Sequence, residues 1–68
     1  MKNTKYPEVV KQMKLHKQSL QDVADLLGIS DRSVIRRLSG EVEWSIGDVD
    51  TLCRYYNIDF WKLFRKEN

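Results

Sequence analysis

Between residues 20 and 40 the chain leaves its backbone little choice. Leu20, Val23, Ala24 and Leu27 recur at the spacing of one buried helical stripe. Gly28 follows, and a left-handed glycine is a common helix stop. Only Ile29 separates Gly28 from Ser30, a good helix N-cap, with Asp31 next to it at the positive end of the new helix dipole. Ser19 and Asp22 form a capping pair at the start of the first of these helices. Val34 and Leu38 give the second an inward side, and Gly40 ends it. Ala24 has no bulk to keep the second helix away, Gly28 permits a turn that a β-carbon would oppose, and Ile29 fills the angle. Two short helices must therefore meet at a tight, apolar corner.

The rest of the chain reads as helix too. Three glycines and one proline punctuate 68 residues, and no β-type alternation persists. Pro7 suits the first turn of a helix carrying Val9, Val10 and Met13, which ends near His16. Residues 41–44 connect to a further helix that opens on Ser45 and Asp48. Its stripe is Ile46, Val49, Leu52, Cys53 and Tyr56, and Asn57 closes it. Asp59 caps a short last helix with Phe60, Trp61, Leu63 and Phe64. The expectation is an all-α, compact five-helix domain over residues 6–66, with residues 1–5 and 67–68 frayed.

The corner at 19–40 has the logic of a helix-turn-helix, whose second helix enters the major groove of DNA. The pattern Leu20-x-x-Val23-Ala24-x-x-Leu27-Gly28-Ile29-Ser30-x-x-x-Val34, closed by Gly40, resembles the Cro and lambda-repressor type of helix-turn-helix. The five-helix layout is similar as well, and the likeness spans roughly residues 9–64. It implies a lambda-repressor-like fold and a sequence-specific transcriptional regulator of double-stranded DNA. Such a regulator is usually a repressor, often a homodimer, and often borne by a phage or mobile element. Carried onto this chain, it makes 31–39 the recognition helix and Asp31, Arg32, Ser33 and Arg36 the base-contacting residues. Arginine is the common bidentate reader of guanine. Ser19, Gln21 and Ser30 would meet phosphates, since free N–H groups at helix starts favour an anion. Arg37, Lys11, Lys14 and Lys17 are the remaining candidate phosphate contacts. The chain departs from the family pattern at Leu20, where glutamine is frequent, and at Leu38, where glutamate is. It departs again at Glu41 and Glu43 in a connector that is often basic, and at Trp44, where proline is common.

Charge bears on the same reading. The net charge is only +2, from 12 Lys and Arg against 10 Asp and Glu, and the pI is 8.8. The signs are segregated, however. Residues 1–20 carry +4 and residues 30–40 carry +2, whereas 41–50 carry −4 through Glu41, Glu43, Asp48 and Asp50. An acidic patch there, with the late aromatics, supports an alternative: an interaction module on the same fold that binds another regulator. Arg32, Arg36 and Arg37 could equally form a solvated helix face, as could the lysines of the first helix. Helix five carries more large apolar residues than one face can bury, which makes Phe60, Trp61 and Phe64 candidate dimer contacts. Half-sites of a dimer would lie about 34 Å apart, one turn of DNA. No room is left in 68 residues for a separate oligomerisation domain, so any dimer is expected to use the DNA-binding domain itself.

Other functions find little support in the residues. Cys53 is the one cysteine and sits on an apolar stripe, where a thiol behaves as a small hydrophobe. His16 has no partners at metal-ligand spacing, and a zinc site needs about four ligands. No phosphate loop, nucleophile elbow or paired catalytic carboxylate is present, so the chain is not expected to be an enzyme or to carry a cofactor. No apolar run approaches the roughly 18 residues of a membrane span, and no secretory signal opens the chain. A cytoplasmic protein without membrane partners is expected.

Overall fold

The computed structural model describes residues 4–67. Five helices follow one another: α1 Pro7–Leu15, α2 Leu20–Leu27, α3 Asp31–Ser39, α4 Ile46–Tyr56 and α5 Phe60–Leu63, with no strand among the described residues. The expected all-α, five-helix architecture is present.

Local chemistry sets the boundaries. Pro7 occupies the first turn of α1. At α2 the Ser19 hydroxyl accepts from Asp22 N at 3.1 Å while the Asp22 carboxylate accepts from Ser19 N at 2.9 Å, a complete capping box. Ser30, Ser45 and Asp59 accept from the N–H three residues on and start α3, α4 and α5. Gly28 at φ +70 and Gly40 at φ +85 end α2 and α3, and Asn57 ends α4 in the same left-handed region.

Each helix sends a fully buried aliphatic side chain to one core. Val9 comes from α1, Val23 from α2, Val34 from α3, Leu52 from α4 and Leu63 from α5, with Ala24 equally buried at the α2–α3 crossing. Leu38 and Met13 extend the core, and Leu20, Leu27 and Ile29 pack against its edge. A second layer is aromatic. Tyr6, Trp44 and Phe64 meet edge to face with ring centroids 5.3–6.1 Å apart, joining the segment before α1 to the connector and to the end of α5. Tyr6 is buried, although nothing in its local sequence pattern marks it.

Several expectations are corrected. Ile46 was placed on the buried stripe of α4, but it is 90 % exposed. It is the first residue of that helix and lies about 100° around the axis from the buried Leu52 and Tyr56. Lys5 and Glu67 were expected to fray. Lys5 N instead donates to Leu38 O at 2.7 Å, and Glu67 N donates to Lys5 O at 2.7 Å. The two chain ends are thus laid side by side against the last turn of α3, where the Leu38 carbonyl would otherwise lack an intrahelical donor. The expected fraying of residues 1–3 and 68 lies outside the described residues. No helix among the described residues is long and apolar enough to cross a membrane.

Candidate nucleic-acid interface

The α2–α3 corner presents α3 to solvent along one side. Val34 and Leu38 are buried, Arg32 and Arg36 are exposed on the surface opposite them, and Asp31 and Ile35 are exposed on the flank between. With its side chains an α-helix is about 10–12 Å across, which suits α3 to a major groove about 12 Å wide. Arg32 has no ion-pair partner among the described residues, so its guanidinium is free to take a new acceptor. Arg36 lies 3.9 Å from the Glu41 carboxylate, with both side chains open to water. Ile35 is about half exposed and offers a methyl surface between the arginines.

The other expected base contacts are already engaged. The Asp31 carboxylate accepts from Arg32 N at 2.9 Å and so caps its own helix. The Ser30 hydroxyl accepts from Ser33 N at 3.1 Å and donates to the Ser33 hydroxyl at 3.0 Å. At α2 the first intrahelical bond runs from Val23 N to Ser19 O. The amides of Leu20 and Gln21 precede it and can face an anion. The Asp22 carboxylate lies at that same helix start and opposes one. Gln21 is folded back along α2, its amide donating to Asp25 at 2.8 Å.

Arg37 was expected to reach a phosphate, and the structure turns it inward instead. Its Nε donates to Asp48 at 3.1 Å and its Nη1 to Ser33 O at 3.3 Å, and its side chain is 18 % exposed. The position follows Val34 by one turn and borders the buried stripe, so the guanidinium meets Asp48 of α4. Asp48 correspondingly leaves the expected acidic patch. It is buried with its charge compensated, so Glu41, Glu43 and Asp50 are the acidic residues of 41–50 that remain exposed. The acidic connector does not swing away from α3. Glu41 N and Val42 N both donate to Arg36 O, at 3.0 and 3.3 Å, which keeps Glu41 beside Arg36.

The lysines of α1 are not gathered around α3. Lys11 lines an open groove with Pro7, Trp61, Lys62 and Arg65, and Lys14 lies beside Leu15 in the adjoining hollow. Lys17 sits in the α1–α2 turn at φ +54, on a surface shared with Gln18, Asp22 and Tyr55. Among the candidate dimer contacts, Phe64 is corrected to a core residue, packed on Tyr6 and Trp44. Phe60 is partly covered, and Trp61 is 80 % exposed.

Sequence reasoning missed Lys5 and Lys66 altogether. Their side chains flank Gly40, within 3.2 and 3.7 Å of where a β-carbon would stand. The clasp of the chain ends creates this arrangement, and no local pattern announces it. Cys53 is partly buried and its thiol is pushed up, first by burial and then by Asp50 and Asp59, so it is a poor nucleophile. No group of three metal-ligating side chains occurs among the described residues.

Residues 9–65 match the family described as the Cro/C1-type HTH DNA-binding domain. No curated protein matches the chain in sequence. The matched span covers the capped α2, the Gly28 corner and the exposed face of α3, the parts from which a DNA-reading surface has to be built. The chain belongs to the Cro/C1-type helix-turn-helix DNA-binding domain family.

Proposed function

We propose that the protein is a sequence-specific transcriptional regulator of the repressor kind, of phage or mobile-element type, that seats α3 in the major groove of operator DNA. Arg32 and Arg36 read base edges, with guanine O6 and N7 the matching acceptors, and Ile35 lies against a thymine methyl. Asp31 and Ser33 act mainly by holding the start of α3 rigid. The α1–α2 side supplies the phosphate contacts through the amides of Leu20 and Gln21 and through Lys17. Arg37 is left out of the contact set because it is engaged with Asp48.

The observation that carries this reading is the division of α3 into two faces. Val34 and Leu38 bind it to the core, while Arg32, Ile35 and Arg36 are left to solvent on a helix whose orientation is fixed at both ends. A solvated face would serve equally well with lysine or glutamine. Two arginines flanking an exposed isoleucine have the chemistry of base readout.

Selection of bound sequences from a random duplex library, followed by titration of the winner against salt, tests the proposal. A defined motif is expected, with affinity falling steeply between about 50 and 200 mM salt. Recovery of no motif, or binding to random duplex that is equally tight, would overturn sequence-specific readout.

A further inference from the structure

The exposed aromatic end of the molecule lies in basic surroundings, although the acidic 41–50 segment suggested the reverse. Trp61 is 80 % exposed on α5 and Leu15 is 64 % exposed at the end of α1. Two open grooves run between them. One, of about 580 Å³, is lined by Pro7, Lys11, Trp61, Lys62 and Arg65 together with Glu8 and Asp59. The other, of about 420 Å³, is lined by Pro7, Val10, Lys11, Lys14 and Leu15 with Thr4. They share Pro7 and Lys11, so the surface is continuous across the outer side of α1.

Charge on this surface is unbalanced. Lys11, Lys14, Lys62 and Arg65 stand against Glu8 and Asp59, a net +2. The ion pairs among the described residues are Arg36–Glu41, Arg37–Asp48 and Arg54–Asp50, and none involves these four cations. The two carboxylates already have local work. Glu8 accepts from the Gln12 amide at 2.9 Å, and Asp59 caps α5 by accepting from Lys62 N at 3.0 Å.

We infer that this α1–α5 face docks an acidic, amphipathic segment of another protein, with Trp61 and Leu15 as its apolar anchors and Lys11, Lys14, Lys62 and Arg65 as its charge partners. Tryptophan and arginine are enriched at the centres of protein interfaces. An extended segment alternating carboxylates with leucine or phenylalanine satisfies both chemistries. A second copy of this chain fits less well, because two-fold docking sets a net positive face against itself. A phosphodiester backbone would satisfy the cations but leave Trp61 and Leu15 without apolar contact. The assignment is independent of base readout by α3.

The test uses the full chain and a fluorescently labelled 14-residue peptide that alternates glutamate with leucine, against a control peptide with lysine in place of glutamate. Saturable binding of the acidic peptide alone is expected. Trp61→Ala and Lys11→Glu should each weaken it by about thirtyfold, the lower bound of a single interface hot spot. Trp61 is exposed enough for the alanine variant to keep its helical circular dichroism, so a loss of binding is not a loss of fold. Four results would overturn the inference: no saturable binding, equal binding of the lysine peptide, unchanged binding by both variants, or displacement of the peptide by random duplex DNA. Sedimentation showing a dimer that Trp61→Ala dissolves would assign the face to a second copy instead.

Discussion

Arg37 and Asp48 join α3 to α4 through a 3.1 Å ion pair whose side chains are 18 % and 11 % exposed. Little water reaches it, and Arg37 also ties back to Ser33 O within α3. The charge of Asp48 lies in the first turn of α4, where the helix dipole favours it. The pair therefore fixes the C-terminal half of α3 against α4. Removal of one partner strands the other. Arg37→Met is expected to destabilise the fold by about 3 kcal/mol, the lower end of the range for a broken buried pair because this one is not fully dry. The double variant Arg37→Met with Asp48→Leu should recover most of the loss. Urea denaturation of the parent, Arg37→Met, Asp48→Leu and the double variant measures it, and equal stability of the single and double variants would contradict the account.

Readout by α3 predicts an asymmetry among its arginines. Arg32→Ala and Arg36→Ala should each weaken specific binding by about 1–3 kcal/mol and relax preference at one base pair, without changing stability by more than about 0.5 kcal/mol. Glu41→Gln should do the opposite. It removes an exposed carboxylate 3.9 Å from Arg36, and affinity should rise by up to about fivefold, the range of an exposed pair. Mobility-shift titrations on the selected operator decide this, and a Glu41→Gln variant that bound more weakly would show that the carboxylate orients Arg36 rather than competing for it.

Gly28 separates conformational strain from crowding. Its φ is +70, yet a β-carbon there would meet nothing within 4 Å. Gly28→Ala should cost about 1–2 kcal/mol, the left-handed penalty alone. Gly28→Asn should cost less, since asparagine visits that region more readily. Thermal melts of the two variants would rank them, and an alanine variant as stable as the parent would rule out the φ argument.

Alkaline pH should unfold the protein through Tyr56. Burial, and secondarily the neighbouring Tyr55, push its phenol up to about 12 from an ordinary value near 10. Its hydroxyl donates to Gln18 Oε1 at 2.6 Å, a bond that only the neutral form can make. The folded state therefore holds this proton where the unfolded chain releases it. The contribution is fully present below about pH 10 and is lost as pH rises from there through about 12. Melting temperature should fall across that window, and Tyr56→Phe should flatten the fall. A variant whose melting temperature drops as steeply as the parent's would locate the sensitivity elsewhere, with buried Tyr6, also raised, the next candidate.

Helix boundaries were legible in the sequence because they are local. Ser19 with Asp22, Gly28, Ser30, Gly40, Asn57 and Asp59 act over three or four residues, and each does so here. The division of α3 into a buried and an exposed face was legible for the same reason. What could not be read depends on partners distant in the chain. Arg37 turns inward because Asp48 waits on another helix. Phe64 is buried and Trp61 is not because Tyr6, some 58 residues earlier, packs on Phe64. The charge around Trp61 is basic because α1 lies alongside α5.

The pairing of Lys5 with both Leu38 and Glu67 gives α3 an unusual dependence on chain closure. Its last turn is completed by Lys5, which is itself paired with Glu67 near the other end of the sequence. Contacts of that separation form late in folding, since the loop entropy they must overcome is large. The end of α3 should therefore gain full amide-exchange protection together with the closure of the whole domain, and not with its neighbour α2. A helix end completed this way is rigid only when the entire molecule is folded.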